Sequence, residues 1–444
     1  MPDDGFVQFN KHIIEYMRGV YVLLLISLFG YAGRVGGQES VTITQCYEWA
    51  RANYPQIHQM GLIDQTERYS LSNVGKAWLP QLSVSGKASY QSDVTKLPFD
   101  GDKISSLLPG FEIPSLSKDQ YQVVAQVDQT IWDGGSTRSA RALTRAEAIA
   151  NREQLESELY ALNDRVNQIY FGCLLQDELI RQNALLQKEL QVNIERIEAM
   201  MENGVANQSD LESMEVELLN ARQNEIELKA SRTVYRQMLA TFINKPLTDQ
   251  VVLKTPESPE RSLFTQINRP ELRALDAKSE WIETQNKQVT AGLMPRIGAF
   301  VQGGYGRPGL NMLEDSFEPY YVAGVRLSWN LGKLYTLKND RRKIEVSRRQ
   351  IDVQRETFLF NTRLQLLQQN TEIKKMTDLM RADDDIIRLR TSIKQAAEVK
   401  LENGVISVTD LIREINAEDM ARQTAAAHRV QRLMTIYNYM YTTN

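Results

Sequence analysis

Four stretches of this chain alternate apolar and polar side chains with a period of two. In 81–90 the even positions are Leu82, Val84, Gly86, Ala88 and Tyr90, and the odd ones are Gln81, Ser83, Ser85, Lys87 and Ser89. Around 121–130, Tyr121, Val123, Ala125 and Val127 alternate with Gln122, Val124, Gln126 and Asp128. Ile297, Ala299, Val301, Gly303 and Tyr305 form a third set, and Tyr321, Ala323, Val325, Leu327 and Trp329 a fourth. Successive side chains on a strand point to opposite faces, so the pattern predicts four strands of about ten residues, each apolar on one face and mostly polar on the other. A helical pattern precedes each pair, at 43–77 and about 268–292, and ends at a proline: Pro80 in WLPQL and Pro295 in LMPRI.

After each strand pair the period lengthens. Residues 136–245 and 333–444 hold no proline and are rich in Leu, Ala, Glu, Gln, Arg and Lys, with sparse apolar positions. That is the composition of long helices packing through a narrow seam. As one helix, 136–202 would reach on the order of 100 Å. Only ENGV breaks each run, at 202–205 and 402–405, followed by Asp210-Leu211 and Asp410-Leu411. Asn-Gly accepts the positive φ that ends a helix, and Ser209-Asp210 or Thr409-Asp410 is expected to cap the next one. The second helices, 210–243 and 410–442, return antiparallel because the turns are short. A bland turn explains Asn and Gly but not the repeated Asp-Leu.

The two halves thus share one grammar. NYPQI at 53–57 matches NRPEL at 268–272, an offset of 215, while Gly134 matches Gly332 at 198, so the first hairpin loop is 17 residues longer than the second. The expected organisation is a first repeat over 38–243, a proline-rich linker over 244–267 and a second repeat over 268–444. Ahead of these, the 13 residues Val20 to Ala32 are too short and apolar a run to span a bilayer as a helix, and fit the core of a secretory signal covering 1–37. Asp3, Asp4 and Glu15 are foreign to such a signal, whereas Met17-Arg18 would begin an ordinary one.

A net charge of −4 with both signs interspersed offers no field for nucleic acid. Two cysteines, Cys46 and Cys173, give no disulfide framework and read as small buried side chains. His58 and His428 read as helix-surface residues, and no metal or other cofactor is expected. GYGRPG at 304–309 fits a phosphate-loop spacing but ends a strand and enters a loop, so it reads as a turn. With no nucleophile and base set in view, an enzyme is not expected.

Four tilted strands have the height of a membrane barrel but cannot close one, since the smallest use eight. An open edge in lipid leaves backbone groups unpaired, so several copies must share a barrel. The polar face favours three copies and 12 strands around a water-filled lumen. The leucine-proline before each first strand, WDGG at 132–135 and the paired tips resemble the TolC-like outer-membrane efflux protein family over nearly the whole mature chain. The resemblance implies a mostly α fold with membrane β: a shared trimeric 12-stranded β-barrel continued by a long antiparallel α-helical barrel, in the outer membrane of a Gram-negative cell. It also implies a periplasmic adaptor and an inner-membrane pump of RND, ABC or MFS type, serving efflux or type I secretion. The adaptor would meet Gly204, Val205, Asp210 and Leu211, and Gly404, Val405 and Leu411. Asp410, with Glu414, matches the family's pore gate; Asp410 as a plain helix cap is the alternative, and the cap is the better reading for Asp210. Arg413 stands where a second gate aspartate would be, and Leu401 and Ile406 stand where some members carry a Tyr and Arg lock. A structural coiled-coil protein of the cell surface is the rival reading; it accounts for the helices and not for the strands.

Overall fold

A computed structural model describes residues 40–95, 116–258, 266–312 and 314–444; the expected signal peptide lies outside them. In chain order the elements are β1 (Ser40–Val41), α1 (Ile43–Asn53), α2 (Gln59–Gly75), β2 (Gln81–Tyr90), β3 (Asp119–Trp132), α3 (Ser136–Tyr160), α4 (Leu162–Glu202), α5 (Gln208–Ile243), β4 (Val252–Leu253), α6 (Pro270–Ala291), β5 (Arg296–Arg307), β6 (Glu318–Ser328), α7 (Leu334–Glu402) and α8 (Val408–Thr443). All four long strands stand where the alternation predicts them. The helix expected over 43–77 is two helices, because Pro55 cannot continue α1 and opens a 3₁₀ turn, Pro55–His58. The first long helix is also interrupted at Ala161, whereas its counterpart α7 runs unbroken for 69 residues.

The described residues form two compact units, each drawn from both halves of the sequence. One holds those within 55–161, 266–368 and 442–444. Its four-stranded antiparallel sheet runs β2-β3-β5-β6. The register sets Leu82 opposite Val127 and Val127 opposite Val301, then Val301 opposite Ala323. Every alternating apolar set therefore falls on one continuous face, and that face is open: Leu82, Val84, Val123, Tyr305, Tyr321 and Val325 are all exposed. Beside the sheet, α3 packs against α6, and α6 meets α7 through Ile282, Ile344 and Ile351.

The other unit holds those within 40–54, 162–258 and 369–441. Its larger core joins α1, α4, α5 and α8 around Cys46, Tyr170, Phe171, Cys173 and Leu239. Burial pushes both thiols up to about 12, so neither is a nucleophile at neutral pH. Within the expected linker, β4 pairs in parallel with β1, Ser40 opposite Val252. The Tyr170 hydroxyl lies 2.9 Å from the Val41 carbonyl and 2.7 Å from that of Lys254, donating its one hydrogen between them. His428 departs from its expected surface role: it is half-buried, with Nδ1 2.7 Å from Oδ2 of buried Asp383.

Candidate functional site

The repeated words close two helical hairpins, and the hydrogen bonds show what each letter does. At the end of α4, Gly204 has φ +73° and its N–H donates to the Met201 carbonyl at 2.9 Å, while Val205 N–H donates to Met200 at 2.8 Å. At the end of α7, Gly404 has φ +69° and donates to Leu401 at 2.8 Å, and Val405 donates to Lys400 at 2.8 Å. Both ends are Schellman motifs, which need a residue free to take positive φ. Asn203 and Asn403 add one more bond each, their side-chain amides donating to Ala199 and Val399 at 2.7 Å.

The next helix begins two residues earlier than the sequence suggested. Asn207, and not Ser209-Asp210, caps α5: its Oδ1 accepts from Asp210 N at 3.1 Å, and Asp210 Oδ2 accepts from Asn207 N at 3.1 Å. Ser407, and not Thr409-Asp410, does the same for α8: its Oγ accepts from Asp410 N at 3.2 Å, and Asp410 Oδ2 accepts from Ser407 N at 3.2 Å. Asp210 and Asp410 are thus the return arms of capping boxes. The bonds from Ser407, aided by Arg413 at 3.2 Å, hold the Asp410 carboxyl below its ordinary value.

The leucines belong to the core beneath the turns. Leu411 is 0% exposed among Ile197, Met214 and Ile415, so the expected contact role for Leu411 is corrected: its side chain cannot touch another protein in this conformation. Leu211 is half-buried on the same cluster, with Ala206 and Ile406 packed alongside. This arrangement is a hydrophobic staple, joining the residue before each cap to the one after the box. Of the repeated apolar letters only the valines face outward, Val205 at 57% and Val405 at 68% exposure.

Glu414 sits between Arg390 at 3.4 Å and Arg413 at 3.5 Å, about one turn from Asp410 along α8. One turn further lies a cluster that sequence reasoning missed. Glu418, 2% exposed, is held by Lys394 at 2.6 Å, by Thr391 Oγ1 at 2.6 Å and by Arg422. Lys394 also reaches Glu189 on the first hairpin. Burial pushes the Glu418 carboxyl up, but its three donors outweigh that and lower it; burial likewise pulls Lys394 down, and its two carboxylates outweigh that and raise it. Both stay charged. Beside them burial raises Asp419 to about 6. The only sequence signal was charge at seam positions of α7 and α8, which reads as a solvated face until the partner helix is known.

Residues 46–245 match the family model described as outer membrane efflux protein. No curated protein matches the chain by sequence. Among solved structures, the fold is similar to that of CusC, studied for its transmembrane channel formation, at a TM-score of 0.64 and 15% identity, covering 90% of this chain and 92% of that one. VceC from Vibrio cholerae gives 0.62 at 11% identity, covering 90% and 96%. The Campylobacter jejuni outer membrane channel CmeC gives 0.60 at 12%, covering 90% and 85%. The family model matches the first strand pair and hairpin, and the fold of these outer-membrane channels is shared over nine-tenths of the chain.

Proposed function

We propose that three copies of this chain share one 12-stranded barrel in the outer membrane and build a periplasmic tunnel from their helical hairpins. In this reading the tips dock on a periplasmic adaptor driven by an inner-membrane pump, and substrates leave the cell through the lumen. One observation carries the proposal: the sheet has a continuous exposed apolar face and two edges, β2 and β6, with no strand beside them among the described residues. A single copy of such a sheet would expose apolar surface to water and unpaired N–H and C=O groups to lipid, and closure with other copies removes both problems.

Aromatic side chains fit the same picture. Tyr90, Tyr121, Tyr305 and Tyr321 ring the loop end of the apolar face, and Trp132 and Trp329 the helix end, all exposed. Such rings sit at the two water interfaces of a bilayer. The long helices alone would also suit a surface coiled coil, but that reading leaves this face without a purpose.

For the tips, Gly204, Gly404, Asp210 and Leu211 hold the turns in shape, and exposed Val205 and Val405 supply the apolar contact. Asp410, with Glu414 behind it, lines the gate: three copies near one axis place like charges close together and draw cations. The two halves of the chain are repeats of one unit, each giving one strand pair and one hairpin. Light scattering of the detergent-extracted protein, corrected for detergent, tests the assembly. Three chains per particle are expected; a monomer would overturn the shared barrel.

A further inference from the structure

The polar face of the sheet carries an imbalance of charge at its helix end. Arg296 stands opposite Ser328, and Gly298 stands opposite Arg326 on one side and Thr130 on the other. The two arginines therefore share a face with Asp128, Thr130 and Ser328, around a cavity of ≈310 Å³ also lined by Thr137. Phe300 lies across Gly324, where a Cβ would come within 3.1 Å of the ring, so a glycine is what lets it lie flat against the wall. The guanidinium of Arg326 rests over that ring at 4.8 Å, with its side chain still 58% exposed.

The acids nearby do not neutralise the pair. Asp128 is 3.9 Å from Arg326 and also takes the Gln126 amide at 2.7 and 2.9 Å. Asp133 is committed to the start of α3, accepting from Gly135 N at 2.9 Å and Thr137 N at 2.6 Å. Arg296 has no ion pair among the described residues. Toward the loop end the balance on this face is even, with Lys87 and Glu318 in one register row across Gln122 and Gly306. Charged side chains inside a membrane segment are unfavourable unless they face water and serve a purpose.

We propose that Arg296 and Arg326 form a basic collar on the inner wall at the helix end of the barrel, favouring passage of anions, including organic carboxylates and sulfates. This rests on the trimeric channel reading, which brings six guanidiniums and three Asp128 carboxylates to one level of the lumen. Low-dielectric walls focus their field, as in other pores lined by basic rings.

The test is ion selectivity in planar bilayers under a potassium chloride gradient, comparing the wild type with the double variant Arg296→Gln, Arg326→Gln. The chloride-to-potassium permeability ratio should fall about two- to threefold in the double variant, and the fall should shrink as salt rises. The charge-keeping pair Arg296→Lys, Arg326→Lys should retain the wild-type ratio; loss of selectivity there too would show that guanidinium packing, and not charge, sets it and would overturn the collar. A double Gln variant that conducts with an unchanged ratio would overturn the collar and leave the channel standing. A wild-type protein that forms no pore would remove the channel and the collar together.

Discussion

The two hairpins are spelled alike at their tips and differently underneath. Both close with the same Schellman turn and capping box, to within a few tenths of an ångström. Two hundred residues apart, however, Ile194 and Leu218 of the first correspond to Lys394 and Glu418 of the second. Ile194 and Leu218 are buried apolar side chains in a core that both hairpins share. The second places a buried ion pair at the same level and ties it to Glu189 of the first. A buried ion pair is roughly neutral in net stability against apolar residues of similar volume, but is strongly destabilising when one partner leaves. Shared turn geometry thus coexists with unequal chemistry: at this level the first hairpin contributes apolar side chains and the second a buried ion pair.

The largest effect should come from breaking that pair. Lys394→Ala leaves buried Glu418 with Thr391 and Arg422 alone and should reduce the opening free energy of the second hairpin by about 3 kcal/mol, read by hydrogen exchange of its amides. Copying the first hairpin, Lys394→Ile with Glu418→Leu, should leave stability unchanged or raise it by about 1 kcal/mol or more. If the copy is as weak as the single variant, the two seams are not equivalent. Next comes Leu411→Ala, expected to lose about 3 kcal/mol because the site is fully buried, against about 1 kcal/mol for half-buried Leu211→Ala. Asn207→Ala and Ser407→Ala should each lose about 1 kcal/mol, and a large difference between them would break the symmetry of the caps.

Two smaller effects separate the tips by charge. Asp410→Ala should raise single-channel conductance or weaken cation block, whereas Asp210→Ala should change neither; equal responses would sink the gate assignment. The last is a pH response. Burial lifts Asp419 to about 6, offset in part by Gln423, so its ionised form destabilises the fold at neutral pH. That penalty is relieved as pH falls through 6 toward the ordinary carboxylate value. Asp410 has the opposite sign: its contribution is present above the ordinary value and is lost as pH falls through its lowered one. The opening free energy of the second hairpin, from exchange rates corrected for the intrinsic pH dependence of amide exchange, should therefore be larger at pH 5 than at pH 7 and smaller again below about 3.8, the ordinary value for an aspartate. Leu219 occupies the place of Asp419 in the first hairpin, which should lack the upper step.

Much of this was legible because it is local. Period-two alternation fixed the four strands and their common face, and Asn-Gly fixed the turns. The caps were misplaced by two residues because Asn, Ser, Thr and Asp cluster there and any of them can cap; only the bonds distinguish Asn207 and Ser407. Leu411 was read as a contact because a motif carries no depth. The bonds of Lys394 to Glu189 and of Tyr170 to Val41 join positions more than a hundred residues apart, and no periodicity announces them. Two-residue strands such as β1 and β4 are below the length at which alternation exists.

Pairing β1 with β4 also has a kinetic meaning. Ser40 must find Val252, and the chain between them forms one strand hairpin and one complete helical hairpin. Closing so long a loop is entropically demanding and contributes little until the surrounding core is in place. The beginning of the described chain should then be among the last parts to settle, latched by the Tyr170 hydroxyl only after the first half has folded. A newly made copy would carry a loose front end that marks it as unfinished.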